Sequence, residues 1–136
     1  MGKRSTGRKL AMQALYQAEI RQQSIEEVLA DSLLESDYQP ETKEWAITLA
    51  TQTWHNREKI DPLIVKYAID WEISRINPID KSLLRMAFHE ILEMKTDPAI
   101  VLDEIIEIAK KYSTEESPKF LNGILGSYVE TQCSQA

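Results

Sequence analysis

One cysteine, Cys133, is too few for an intrachain disulfide or a cysteine-rich zinc site. Four glycines and five prolines in 136 residues leave little turn material for a β-sandwich or barrel, so the chain leans toward helices. No run approaches the roughly 18 apolar residues of a membrane span. The start, Met1-Gly2-Lys3-Arg4-Ser5-Thr6, lacks the apolar core of a signal peptide, and a cytoplasmic protein is expected. Histidine is equally scarce. His89-Glu90-Ile91-Leu92-Glu93 resembles a zinc-protease helix, but Glu93 stands where the second histidine is needed. A di-iron bundle needs Glu-x-x-His, and Met86 and Gln52 occupy the two positions that would carry that glutamate. His89 then reads as a solvated edge of a buried helix. Gly123-x-x-Gly126 has neither the spacing nor the lysine of a phosphate loop, and no Gly-x-Ser-x-Gly occurs. Asp103, Glu104 and Glu107 read as the wet side of an amphipathic helix rather than as acid–base partners. No catalytic residue, metal or cofactor is expected.

What is present is one ordinary domain, residues 1–136, with 43% hydrophobic and 28% charged residues. Helix punctuation recurs along it. Ser24-Ile25-Glu26-Glu27 is a capping box. Pro40, Pro62, Pro78 and Pro118 each precede or open an apolar run, and Asp61, Asn77 and Ser117 stand before three of them as N-cap residues would. The run after Pro98 is expected to turn helical only a few residues later. Between these marks apolar residues recur at three and four: Leu10, Ala14, Leu15 and Ala18; Trp45, Leu49 and Ala50; Leu83, Leu84, Ala87, Phe88, Ile91 and Leu92; Val101, Ile105 and Ile108; Leu121, Ile124, Leu125 and Tyr128. This period predicts an all-α bundle of about seven helices, with residues 1–9 as a basic N-terminal arm and 131–136 as a flexible tail.

The net charge of −6 hides a segregation. Residues 1–18 carry Lys3, Arg4, Arg8 and Lys9 and no acid, a charge of +4; the remaining 118 carry 12 basic and 22 acidic side chains, a charge of −10. A basic arm on an acidic body suits an arm that meets phosphates and a body that faces a basic protein. A second surface is Ser117-Pro118-Lys119-Phe120-Leu121-Asn122-Gly123. A helix start there presents Lys119, Phe120 and Asn122 to an anion or an unpaired base. On periodicity alone Phe120 reads as a core residue and Asn122 as a local cap.

Four blocks carry a resemblance: Arg8-Lys9-Leu10-Ala11-Met12-Gln13-Ala14-Leu15-Tyr16, Ile79-Asp80-Lys81-Ser82-Leu83-Leu84-Arg85-Met86-Ala87, Leu102-Asp103-Glu104-Ile105-Ile106-Glu107-Ile108-Ala109-Lys110-Lys111-Tyr112, and Ser117 to Leu125. In order and spacing, over about residues 8–126, they resemble the NusB family of bacterial transcription antitermination factors. The resemblance implies two helical subdomains sharing a core and no catalysis. It implies binding of the boxA element of ribosomal RNA leader transcripts together with ribosomal protein NusE, within an RNA polymerase elongation complex containing other Nus factors. Carried onto this chain, the implied RNA-binding residues are Lys3, Arg4, Arg8, Lys9, Tyr16, Lys119, Phe120 and Asn122, with part of the Phe120 ring open to RNA. Asp80 and Glu116 match positions at or near the RNA and NusE surfaces. Ser5-Thr6-Gly7 interrupts the denser arginine cluster of many members, which implies modest RNA affinity without the partner. Exposed apolar positions would suit a homodimer covering the RNA face. Two alternatives stand beside this reading: a helical protein–protein adaptor without RNA specificity, and a stand-alone relative of the N-terminal domain of ribosomal RNA methyltransferases. Against the second, only eight residues follow Tyr128, too few for a nucleotide-type cofactor domain.

Overall fold

A computed structural model describes residues 2–32 and 37–135; side chains from 133 onward, including that of Cys133, lie outside the described set. The elements are α1 (Lys3–Arg21), α2 (Ile25–Ser32), α3 (Pro40–His55), α4 (Arg57–Tyr67), a 3-10 turn (Ile73–Arg75), α5 (Pro78–Leu92), α6 (Pro98–Tyr112) and α7 (Ser117–Gln135). Seven α-helices and no strand occur among the described residues, as the apolar period predicts.

Several helix starts follow the punctuation. Asn77 accepts from the Ile79 amide at 2.8 Å, and the Ser24 hydroxyl accepts from the Glu27 amide at 3.2 Å. Two differ. Pro98 is the first residue of α6, because the Asp97 carboxylate caps Ala99 at 2.9 Å. Pro62 lies inside α4, because the Asn56 carbonyl already accepts from Ile60 and starts the helix upstream. Asp61 is therefore no cap. The basic arm also differs from expectation: from Lys3 onward it is the first turns of α1. At the other end, α7 takes residues 131–135 of the expected tail into its helix, while Ala136 lies outside the described set.

The fold is organised around α5, which packs against α1, α3, α4, α6 and α7. A surface helix buries one stripe, but every residue from Asp80 to Glu90 is buried here. Its apolar residues, with Phe88 and Leu84 fully enclosed, form one core with Leu15, Leu49, Ile64, Ile105 and Leu121 from five other helices. Its polar residues need buried partners; Ser82 donates to the Pro78 carbonyl of α5 itself, and the charged residues and His89 find theirs on the surrounding elements. Lys81 and Arg85 both meet Glu19 of α1, at 2.9 and 3.1 Å, and Arg85 also holds Asp61 of α4 through two 2.9 Å bonds. His89 meets Gln52 of α3 at 3.1 Å and Asn56 at 3.3 Å. At 1% exposed it is an interior residue rather than the solvated edge expected from sequence. Gln52, the residue that rules out a di-iron motif, is its hydrogen-bond partner. Glu90 takes Arg8 of α1, and Asp80 takes Ser113 and Ser117 at the junction of α6 and α7. Through Glu90 and Asp80, α5 thus holds the start of α1 and the start of α7, the two surfaces singled out in the sequence.

Candidate nucleic-acid interface

The first surface is the start of α1. Gly7 sits in its second turn, where a Cβ would lie 2.5 Å from Cε3 of Trp45 on α3. Glycine at this position lets α1 lie against the indole. The guanidinium groups of Arg4 and Arg8 lie 4.6 and 5.2 Å from the centroid of the same ring, in cation–π range. Lys3 is exposed and bonds to Glu41 of α3; the Ser5 hydroxyl donates to Glu104 of α6. Lys9 is half-buried, with its ammonium 5.5 Å from the Tyr38 ring.

Arg8 departs from the sequence expectation. It is 4% exposed and donates to both oxygens of Glu90, at 2.7 and 2.8 Å, and to Glu104 at 3.1 Å. Burial alone would lower its basicity. The bonds and charge of Glu90, reinforced by Glu104, more than offset this and hold the guanidinium above its ordinary value. Three of its five N–H donors are used inside the molecule, and almost none of the side chain reaches solvent. Tyr16 is half-buried against the core, two turns further along α1, away from the first-turn cations.

The second surface is the start of α7. Asp80, 5% exposed, accepts from Ser113 at 2.7 Å and Ser117 at 2.8 Å. Asp80, expected at or near the partner surface, has an enclosed carboxylate that anchors the first residue of α7. From that anchor Lys119 and Asn122 project into solvent, and neither side chain has a partner among the described residues. Asn122 is thus not the local cap that periodicity suggested. Phe120 is half-buried. Its ring stands edge-on to Trp71 with centroids 5.4 Å apart, and one side borders an open hollow with Ile69, Lys119 and Glu116. The core reading and the exposed reading of Phe120 each describe part of the ring. Glu116 is exposed at the rim of that hollow.

The sequence marked neither Trp71 nor the end of α6 as a contact surface, although Lys110, Lys111 and Tyr112 close one of the blocks that carry the resemblance. Trp71 is 50% exposed, in the connection after α4, with no periodic neighbour to mark it. Lys110, Lys111 and Tyr112 close α6, and two adjacent lysines in a last turn also suit the helix dipole, so nothing local marked them as a surface.

No three His, Cys, Asp or Glu side chains converge as a metal site among the described residues, and no described helix is long and apolar enough to cross a membrane. Residues 5–130 match the family model described as the NusB family. The chain belongs to the NusB family. It is 40% identical to the transcription antitermination protein NusB of Streptomyces griseus over 132 residues, covering 94% of this chain and 92% of that protein. T. maritima NusB superposes with a TM-score of 0.84 at 35% identity, covering 93% of this chain and 89% of that one. A chain from a complex of antitermination factors NusB and NusE with double-stranded RNA superposes with a TM-score of 0.86 at 26% identity, covering 96% and 98%. The NusB family is non-enzymatic, so the charged clusters of this NusB-family chain are to be understood as binding and folding elements rather than as catalytic ones.

Proposed function

We propose that this protein is a cytoplasmic antitermination factor that binds boxA RNA of ribosomal RNA leader transcripts together with ribosomal protein NusE, and so joins an RNA polymerase elongation complex. The observation that carries the reading is the near-complete likeness to a chain of the NusB–NusE–RNA assembly, on a molecule with exposed cations at the start of α1 (Lys3, Arg4), the end of α6 (Lys110, Lys111) and the start of α7 (Lys119). Lys3, Arg4, Lys9 and Lys119 supply charge for the RNA backbone. Phe120 and Asn122 supply a ring face and a hydrogen-bonding edge for unpaired bases. Tyr16 contributes by supporting α1, and Arg8 and Asp80 by holding the two helix starts. Glu116, exposed beside Trp71 and Phe120, faces a basic protein partner.

A gel-shift titration of boxA and scrambled RNA, with and without NusE, tests this. NusE is expected to raise affinity, because a second surface adds contacts without new ordering cost in the first. Equal boxA affinity in the two titrations would overturn the joint-binding mechanism, and no preference over scrambled RNA would overturn the boxA assignment.

A further inference from the structure

The two RNA surfaces are separated by α6, and a depression lies on either side of it. Between α1 and α6 is a cleft of about 250 Å³ bordered by Thr6, Lys9, Lys111 and Tyr112. Between α6 and α7 is a groove of about 690 Å³ bordered by Asp103, Lys110, Lys119 and Asn122. Glu107 borders both. The consecutive residues Lys110 and Lys111 therefore open onto opposite sides of the same helix end.

The charge balance of the cleft is less even than its composition. Its two carboxylates are already engaged: Glu104 accepts from Ser5 and Arg8, and Glu107 from Lys110 at 3.3 Å. Neither of its two ammonium groups is paired with an acid among the described residues. Lys9 faces a ring rather than an acid, and Lys111 has no partner among the described residues. Beside them Tyr112 is 39% exposed, an aromatic face next to two ammonium groups without an acidic partner among the described residues. Across α6, Lys119 repeats the pattern of an unpaired ammonium, this time beside Asn122. The order along the surface is cation, ring, cation, amide, which is the alternation that tracks a single strand: charge for the backbone and a π-face for a base.

We infer that the last turn of α6, Lys110 to Tyr112, is an RNA-contacting bridge that carries a single strand from the start of α1 to the start of α7. Lys111 meets the backbone and Tyr112 stacks on a base. The inference rests on the RNA-binding reading above. A strand that touches both surfaces has to cross this helix end, and its last turn supplies the donors there. Asp103, exposed in the groove and without a cationic partner among the described residues, opposes the strand and limits its affinity.

The test is fluorescence anisotropy of labelled single-stranded boxA RNA with the full chain plus NusE, over a series of salt concentrations. Lys111→Ala is expected to weaken binding and to reduce the slope of log K against log salt by about 0.7, one backbone contact on a single strand. Lys111→Arg is expected to restore the slope, which a role confined to the helix dipole would not move. Tyr112→Ala is expected to lower affinity at least about fivefold with the slope unchanged. Asp103→Asn is expected to tighten binding. Wild-type affinity and slope in both Lys111→Ala and Tyr112→Ala, with Lys119→Ala impaired, would overturn the bridge and leave the RNA reading standing. Absence of RNA binding by the wild-type chain with NusE would overturn both.

Discussion

Arg8 and Glu90 form a two-pronged ion pair inside the molecule, 2.7 Å from Nε to Oε2 and 2.8 Å from Nη2 to Oε1, with side chains 4% and 0% exposed. The pair ties α1 to α5 across 82 residues of sequence. A charge at that depth is tolerable only with its partner. Removing one member leaves the other buried and unpaired, at a cost of about 3–5 kcal/mol.

Arg8→Ala is therefore expected to act as a folding mutation. Urea denaturation should show a loss of that order, and RNA affinity should fall only as far as the start of α1 is displaced. The double variant Arg8→Met, Glu90→Leu, which removes both charges and keeps side-chain bulk, should recover much of the loss. Wild-type stability in Arg8→Ala, with a flattened salt dependence of RNA binding, would instead return Arg8 to the phosphate surface.

Gly7→Ala separates two opposed effects. In an ordinary helix interior the change gains about 0.5–1 kcal/mol. Here the new methyl would meet Trp45 Cε3 at 2.5 Å, and an indole packed between helices and under two guanidinium groups has little room to yield. Overpacking of this kind costs about 1–3 kcal/mol, so net destabilisation is expected, with a change in the near-ultraviolet tryptophan signal. A variant as stable as wild type with an unchanged signal would show that α1 and α3 are not so closely apposed.

The helices were legible because their apolar period is local and because Asn77-Pro78 and Ser24-x-x-Glu27 are complete signals within four residues. Asp61-Pro62 has the same form and misled, since the carbonyl that starts α4 belongs to Asn56 and the Asp61 carboxylate is engaged by Arg85, 24 residues away. The central place of α5 was not legible for the same reason. Its apolar stripe is ordinary; what sets it apart is that Asp80, Lys81, Arg85, His89 and Glu90 find partners on other helices. Within the candidate interface, Lys3, Arg4, Lys119 and Asn122 stand in the open where charge and motif predicted them. Arg8 carries the same charge as Arg4, and only its distant partners, Glu90 and Glu104, turn it inward.

His89 gives the protein an acid sensitivity of its own. Burial pushes its imidazole below the usual histidine range, against the opposing pull of Glu93 and Glu90. A depressed histidine binds its proton more readily in the unfolded chain. Its neutral form contributes stability above the unfolded value of about 6.5, and that contribution is lost as pH falls through the folded value. Glu19 acts lower. Burial raises its carboxyl, but Lys81 and Arg85 outweigh that and lower it, so its contribution is present above the ordinary glutamate value and lost beneath it. Unfolding free energy is thus expected to decline as pH is taken from 7 toward 5, before the carboxylates titrate. His89→Gln, which keeps an amide toward Gln52, should flatten that decline even if it lowers stability throughout. An unchanged slope in the variant would place the sensitivity elsewhere.

Ser117, 1% exposed, begins α7 on the Asp80 carboxylate, and Lys119, Phe120 and Asn122 follow within two turns. Asp80→Ala removes the carboxylate that accepts from Ser113 and Ser117 and leaves their hydroxyls only each other and Thr114, at a cost of about 1.5–3 kcal/mol for a lost hydrogen bond to a charged group. It also frees the start of α7 to shift. Binding of boxA RNA is expected to weaken although Asp80 touches no solvent-facing ligand, and hydrogen exchange should quicken in the first turn of α7. Phe120→Ala, by comparison, is expected to narrow the gap between boxA and scrambled RNA while the first-turn exchange stays slow. If Asp80→Ala destabilised the protein but left RNA affinity and first-turn exchange as in wild type, the α7 start would be held by its own helix. The Asp80–Ser117 contact would then serve the core alone.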